Sequence, residues 1–364
     1  MKALKIDIVF LISLVLLFLA GLLIFFSASL GLLSKQNFNY GDIVSKQLFL
    51  GGGLGLLALI ITSKIDYRIW RKYAFYLFVG SILVNLLVFV PQLGFTHGGA
   101  TRWLDLGPIT FQPSEFLRLA TVMYFATWLS SVKNKVNTIK YGFLPLCAVL
   151  AISEGIFLLQ HDTDLVIVAA LIGMFIAAGG KIKHLLILGL ICGIGLAGLA
   201  FTRPYVMERV NTFLYPQKNA LGSGYQIQQS LIAIGSGGFF GRGFGQSVQK
   251  FNYLPEPMGD SIFSVASEEF GFIGAVALLL LFLLFGMRGL KISSNSKDSF
   301  GTFLGVGIIL IIIGQAFTNI GAMVGVLPLT GVPLPFVSQG GTSLIFVLAS
   351  CGIVLNISKQ QKLK

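Results

Sequence analysis

Ten apolar runs dominate this chain, and each approaches the roughly 20 residues that a helix needs to cross a bilayer. Hydrophobic residues make up 55% of the sequence and charged residues only 11%, a composition that excludes a soluble globular protein. The sequence therefore predicts an all-α polytopic membrane protein, with one membrane domain over residues 1–364. The predicted spans are 8–29, 46–63, 74–92, 113–131, 141–159, 163–180, 184–203, 261–287, 300–323 and 339–357.

The formal net charge of +12 reflects topology, because the basic residues collect in alternate loops. With the N-terminus inside, most of the 26 lysines and arginines face the cytoplasm, as the positive-inside rule requires. Both termini are then cytoplasmic, and no nucleic-acid partner is expected. The acidic residues collect on the outer side instead. Since acidic residues contribute little to orientation, we interpret this asymmetry as a sign of chemistry on the outer face.

A long polar insert, at about 204–260, separates the seventh and eighth predicted spans and ends in YLPEPMGD. Its Gly, Ser and Gln content differs from the charge-dense composition of a disordered tail. We therefore expect an ordered extracytoplasmic loop that forms a site for a polar headgroup. Segments 98–115 and 325–343 are rich in Gly, Pro and hydroxyl residues and are predicted to complete an outer vestibule.

Asp260 closes the insert at the start of the eighth predicted span. One interpretation is an N-cap, in which the carboxylate accepts hydrogen bonds from free amides of the next helix. The other is a general base that takes a proton from an acceptor hydroxyl. Position alone leaves both open.

Glu115, Arg118 and Asp162 are charges at the outer ends of predicted spans. Glu115 and Arg118 are three residues apart, so they share one face of a helix. Because charges at this depth are costly, we expect Arg118 to pair with Glu115 or Asp162. Such a pair has either a purely structural role or a role in shaping a substrate cavity.

Four cations of the outer face have no obvious partner nearby in the sequence. Arginine and lysine at such positions suit a phosphate or pyrophosphate ligand, although contacts with solvent or lipid headgroups are the alternative. A glycine run at 235–245 would let the backbone approach phosphates closely. The candidate headgroup-binding residues are Arg102, Arg209, Arg242 and Lys250.

The sequence offers no protein metal centre. Its three histidines are scattered, and its three cysteines all lie inside predicted spans without a CxxC spacing. A divalent cation, Mg or Mn, remains an open expectation only because the proposed chemistry would release a pyrophosphate.

Five stretches, in this order, resemble the SEDS family of peptidoglycan polymerases, the FtsW and RodA type. They are GGATRWLDLG, FQPSEFLRL, LLQHDTDL, the block from GSGYQIQQSL to YLPEPMGDSIFSVASEEFGF, and NIGAMVGVLPLTGVPLPFVSQGGTS. The resemblance covers essentially the whole chain. It implies ten spans, a large outer loop between spans seven and eight, and a glycosyltransferase that polymerises lipid II outside the membrane.

The resemblance also implies roles for individual residues. Asp260 falls on the essential acidic position of the family. Glu115 and Arg118 fall on its QPSE…K positions, here with Arg in place of the usual Lys. Asp162 falls on the acidic position of the QPDLGT motif, and the residues around it depart from that pattern, beginning with His161.

The implied partners are lipid II as substrate, a class B penicillin-binding protein transpeptidase and other divisome membrane proteins. Residues 247–250 look more like the division branch, FtsW, than the elongation branch, RodA. Small-residue faces at 271–274 and 301–307 are the expected docking surface for the transpeptidase. A lipid II flippase, a RodA-type elongation polymerase and a non-catalytic scaffold are the alternatives.

Overall fold

The structure, a computed structural model, describes residues 6–34, 40–97, 100–105, 107, 110–160, 164–202, 204–215, 217 and 223–361. This part of the chain forms thirteen α-helices and one small antiparallel sheet. The helices are α1 (Ile8–Ser29), α2 (Tyr40–Ser45), α3 (Leu54–Lys64), α4 (Arg68–Leu86), α5 (Pro113–Val132), α6 (Leu144–Leu159), α7 (Leu165–Ala177), α8 (Ile182–Thr202), α9 (Pro204–Leu214), α10 (Ser223–Ser236), α11 (Ile262–Ser294), α12 (Ser299–Met323) and α13 (Gly341–Lys359). The strands are β1 (Gly94–His97), β2 (Ala100–Asp105) and β3 (Thr110–Phe111).

Seven helical segments in the described part of the chain are long and apolar enough to cross a membrane. One of them joins α2 and α3 through a π-helical turn over Lys46–Gly53. Helices α5, α7 and α8 correspond to the other three apolar runs, but α5 begins with charged residues and α7 has only 13 residues. The polytopic helical fold is therefore confirmed, whereas the count of ten spans stays a prediction.

Helix α12 lies at the centre of the bundle and packs against α5, α7, α11 and α13. Its glycines face neighbouring helices, and their small size allows the helix backbones to approach closely. A β-carbon at Gly307 would lie 2.5 Å from Val122 Cγ1, and one at Gly305 would collide with Ser293 Oγ. The prediction that residues 301–307 of α12 form a docking surface is therefore wrong, because these glycines pack against other helices of the same chain.

Glycines also set the contact between α3 and α13. A β-carbon at Gly55 would lie 2.6 Å from Leu348 Cδ1, and one at Gly51 would lie 3.1 Å from the α-carbon of Gly341. From the other side, a β-carbon at Gly352 would collide with Thr62 Oγ1. The glycines of the second apolar run thus permit close packing against the last helix.

At one end of the bundle, Asp7 caps a helix and forms an ion pair with Arg288. Asp7 caps α1 through the Phe10 amide at 3.0 Å, and its carboxylate accepts from Arg288 Nε at 2.8 Å. The Asp7 amide donates to Ser358 Oγ at 3.3 Å, so both ends of the chain reach the same face. Burial raises the pKa of Asp7, but hydrogen bonds from Arg288 and the Phe10 amide outweigh burial and hold the pKa below its usual value. This is the face that the charge distribution predicts to be cytoplasmic.

The fold is not purely helical, because the segment before α5 forms a sheet. The strands pair in the order β1-β2-β3, with Phe95 opposite Trp103 and Leu104 opposite Phe111. The sheet places Arg102 on β2, beside the segment that follows α12.

The polar insert contains helices α9 and α10 and then an irregular stretch that leads into α11. Helix α11 is broken at Gly271, which has φ 65° and ψ −166°. The irregular stretch lies directly against the helix at this break. A β-carbon at position 271 would collide with the backbone nitrogen of Gly241, so the contact requires glycine. Only glycine combines this backbone conformation with this close approach.

We expect Gly271→Ala to lower the free energy of unfolding by about 2–4 kcal/mol. The positive φ strains an alanine, and the neighbouring backbone cannot move aside as a side chain would. Gly155→Ala on α6 is the matched control, because its β-carbon meets no atom within 4 Å. Thermal unfolding of both variants in one detergent checks this. Equal melting temperatures would contradict it.

Candidate active site

Asp260 lies in a series of turns that joins the polar insert to α11. Asn252 and Glu256 adopt positive φ values of 70° and 46°, conformations that are typical of turns. Helix α11 starts after Asp260, with Ser261 at the N-cap position. The capping interpretation therefore does not apply to Asp260. Its side chain is half-buried at the edge of the bundle.

The backbone of Asp260 is fixed by Asn319, near the C-terminal end of α12. The Asn319 side-chain amide donates one hydrogen bond to the Asp260 carbonyl at 2.8 Å and one to the Val332 carbonyl at 2.9 Å. One buried side chain thus joins α12, the turn before α11 and the segment before α13. Because both amide protons are used, Asn319 sets the relative position of the two segments.

The segment between α12 and α13 adds two further hydrogen bonds to the same turn. Ser338 Oγ donates to the Gly259 carbonyl at 2.7 Å, and the Gln339 amide donates to the Met258 carbonyl at 2.7 Å. Gln47 supports this segment from the second span, since its Oε1 accepts from the Gly340 amide at 3.1 Å. Three consecutive carbonyls, at positions 258–260, are therefore held by neighbouring elements.

Arg102 and Asp260 converge on Gly331. A β-carbon at Gly331 would lie 3.6 Å from Arg102 Nη1 and 3.6 Å from Asp260 Oδ2. Gly331 adopts φ 72°, a conformation that favours glycine. A carboxylate and a guanidinium thus reach the same glycine at van der Waals distance. This pair of groups suits a reaction in which a hydroxyl loses a proton beside a phosphate group that gains charge.

Arg118 forms a buried ion triad at the start of α5. Its Nη1 lies 2.5 Å from Glu115 Oε1, and its Nε contacts Asp164 Oδ2. All three side chains are almost completely buried. The predicted contact between Arg118 and Glu115 is present, whereas Asp162 lies outside the described residues. A role for the triad in a substrate cavity stays a prediction.

Asp164 is the member of this triad that sequence reasoning missed. Besides binding Arg118, its Oδ1 accepts from the Val166 amide at 3.1 Å and so caps α7. An Asp directly before an apolar run is an N-cap signal, and this signal could have identified it. One carboxylate thus caps a helix and neutralises a buried cation.

Lys250 is not the exposed headgroup cation that the sequence predicted, and this expectation is wrong. It is 1% exposed, and its ammonium lies 2.7 Å from Glu269 Oε1 and 3.1 Å from Ser27 Oγ. The ammonium also donates to the Gly245 carbonyl at 2.9 Å. Its position inside the protein leaves no room for a phosphate.

Arg242 is also paired, although its side chain is partly exposed. Its Nε lies 3.3 Å from Glu268 Oε1. The same Glu268 carboxylate accepts from Ser247 Oγ at 2.6 Å and from the Val248 amide at 3.1 Å. Arg242 therefore attaches the glycine-rich stretch at 235–245 to α11. Arg209 lies half-buried on α9, and its headgroup role stays a prediction.

No group of three or more His, Cys, Asp or Glu residues that could hold a metal ion occurs within the described ranges. Participation of Mg or Mn stays a prediction.

Comparison with known proteins decides the family. The model of the FtsW/RodA/SpoVE family of cell cycle proteins matches residues 7–363. The chain belongs to this family. Stage V sporulation protein E of Bacillus subtilis (strain 168) is 38% identical over 98% of both chains. The probable peptidoglycan glycosyltransferase FtsW of Geobacter sp. (strain M18) is 39% identical over 98% of this chain and 97% of its own.

Solved structures of this family share the fold. A chain from a peptidoglycan synthase complex, described as coordinating polymerization and crosslinking, superposes with a TM-score of 0.78. It is 26% identical and covered over 99% of both chains. The rod shape determining protein RodA of Thermus thermophilus has a TM-score of 0.67, with 26% identity over 96% of this chain and 97% of its own. The chain is thus a multi-pass membrane protein of the FtsW/RodA/SpoVE family.

Lys250 and Glu269 of this FtsW/RodA/SpoVE chain offer a test of the buried ion pair. Lys250→Met leaves a buried carboxylate uncompensated, so we expect a loss of about 3–5 kcal/mol in the free energy of unfolding. The double variant Lys250→Met, Glu269→Gln removes both charges and should be clearly more stable than Lys250→Met. Thermal unfolding of the single and double variants measures this coupling. Additive losses would show that the two charges do not interact.

Proposed function

We propose that this chain is a peptidoglycan glycosyltransferase that polymerises lipid II on the outer face of the cytoplasmic membrane during cell division. Support comes from its relatives, several of which are named probable peptidoglycan glycosyltransferase FtsW. The observation that carries the proposal is the convergence of Asp260 and Arg102 on Gly331.

In the proposed reaction, Asp260 acts as the general base. A sugar hydroxyl of the acceptor forms a new bond to the anomeric carbon of the lipid-linked donor, and its proton passes to the Asp260 carboxylate. The bond between that carbon and the pyrophosphate oxygen breaks, and the pyrophosphate leaves on its lipid. Arg102 is placed to stabilise the charge that develops on the pyrophosphate. Asn319 contributes by holding the base and the Gly331 turn in fixed relation.

Asp260→Asn should lower the rate of lipid II polymerisation by about 100- to 10,000-fold, because the isosteric amide cannot accept the proton. Polymerisation by purified protein with labelled lipid II measures this. Asp42→Asn is the matched control, since it makes the same chemical change at an exposed position whose carboxylate pairs with Lys46. Asp260→Asn activity within a fewfold of the wild type would remove Asp260 from the mechanism and favour a scaffold.

We also propose a class B penicillin-binding protein transpeptidase as the partner. The chain contains neither an SDN nor a KTG motif, so it lacks the full motif set with which a penicillin-binding protein would crosslink the strands. A chain that it resembles comes from a complex that coordinates polymerization with crosslinking. We place the docking surface on α11 rather than α12. Phe272 and Leu280 of α11 are 60% and 56% exposed.

The variant Phe272→Ala, Leu280→Ala should reduce co-purification of the transpeptidase from membranes that carry both proteins. Truncation removes apolar contact area at the centre of the proposed interface. Leu190→Ala, at a similarly exposed position on α8, should leave co-purification unchanged. If all three proteins retain the transpeptidase equally, the α11 surface is not the interface.

A further inference from the structure

Helix α10 of the polar insert packs against α11 and α12, the two helices that meet at Asp260. Its inner face consists of Ile227, Ser230 and Ala233, which are at most 4% exposed. Gln226 lies four residues before Ser230, so it shares this face. The helix thus directs a long polar side chain towards the start of α11.

Gln226 reaches the residue that follows Asp260. Its side-chain amide donates a hydrogen bond to the Ser261 hydroxyl at 3.0 Å. Ser261 is fully buried and occupies the N-cap position of α11. A serine at this position usually accepts from amides of the first helical turn, but Ser261 makes no such bond to α11. The contact of its hydroxyl is therefore with α10 rather than with its own helix.

The peptide unit between Asp260 and Ser261 is held at both of its polar groups. Its carbonyl accepts from the Asn319 side chain at 2.8 Å, and its amide donates to the Glu256 carbonyl at 3.2 Å. Gln226 adds a third contact, at the side chain directly after this unit. The backbone that carries the Asp260 carboxylate is thus fixed on both sides.

Helix α10 is also bonded to the end of α12. Ser230 Oγ donates to Met323 Sδ at 3.4 Å, and both residues are buried. Met323 lies four residues after Asn319, so the two side chains share a face of α12. One face of α10 therefore contacts both the helix that carries Asn319 and the residue next to the proposed base.

We propose that Gln226 is a positioning residue for the general base. By holding the Ser261 hydroxyl, it keeps the Asp260 carboxylate at the distance and angle that proton transfer from the acceptor hydroxyl requires. This inference rests on the proposed function. Gln226 acts through Ser261 and exchanges no proton, so its loss should slow the chemical step and leave substrate binding unchanged.

Gln226→Leu tests this, because leucine is close in size and cannot donate a hydrogen bond. We expect the kcat for polymerisation of labelled lipid II to fall about 10- to 100-fold, with the KM for lipid II unchanged. Gln228→Leu is the matched control. It makes the same substitution on the opposite face of α10, so its kcat and KM should equal those of the wild type.

Ser261→Ala removes the same hydrogen bond from its other partner and should lower kcat to a similar degree. The double variant Gln226→Leu, Ser261→Ala should be no slower than either single variant, because both substitutions remove one shared contact. Hydrogen–deuterium exchange gives a readout that does not depend on activity. A peptide over residues 256–264 should exchange faster in both single variants, and at the wild-type rate in Gln228→Leu.

The outcomes separate this inference from the proposed function. A wild-type kcat in Gln226→Leu, even with faster exchange, would show that the contact is only structural and would overturn the inference alone. A raised KM with unchanged kcat, or additive losses in the double variant, would do the same. Absence of lipid II polymerisation by the wild type, or full activity of Asp260→Asn, would overturn the proposed reaction and this inference with it.

Discussion

Two adjacent buried carboxylates in the first turns of α11 determine much of the outer half of this protein. Glu268 and Glu269 are both buried in α11, where an unpaired charge would be prohibitively costly. The residues that satisfy them, Arg242 and Lys250, come from the glycine-rich stretch before the helix. Pairing therefore pulls this stretch onto α11 and α1. The turn that carries Asp260 starts directly after Lys250, so its position follows from the same pairing.

The hydrogen bonds around Asp260 link the site to helix packing. Residues 258–260 are held by Asn319 on α12 and by the segment before α13. The carboxylate is thus positioned by elements that are about sixty to eighty residues away in the chain. Rigid support of this kind is what a general base requires, because reactivity depends on its distance from the hydroxyl. It also explains why the site lies near the start of α11, the end of α12 and the start of α13.

The parts of this structure that the sequence could predict are those that depend on local spacing. Apolar runs predict helices, and the i, i+3 spacing predicts the contact of Glu115 with Arg118. Long-range partners could not be predicted. Lys250 resembles an outer-face cation until Glu269 and Ser27 are brought to it from elsewhere in the chain. The glycines of α12 resemble a docking face for the same reason, since only the packed bundle reveals Ser293 and Val122 against them.

The break at Gly271 also fits the protein to the thickness of its membrane. A continuous helix of 33 residues would be roughly 50 Å long, far more than the roughly 30 Å of hydrocarbon in a bilayer. The straight part from 272 to 294 comes to roughly 35 Å, which a modest tilt accommodates. The first turns of α11, which precede the break, are not needed to cross the bilayer. A single glycine in this way separates the turns that follow Asp260 from the part of the helix that spans the bilayer.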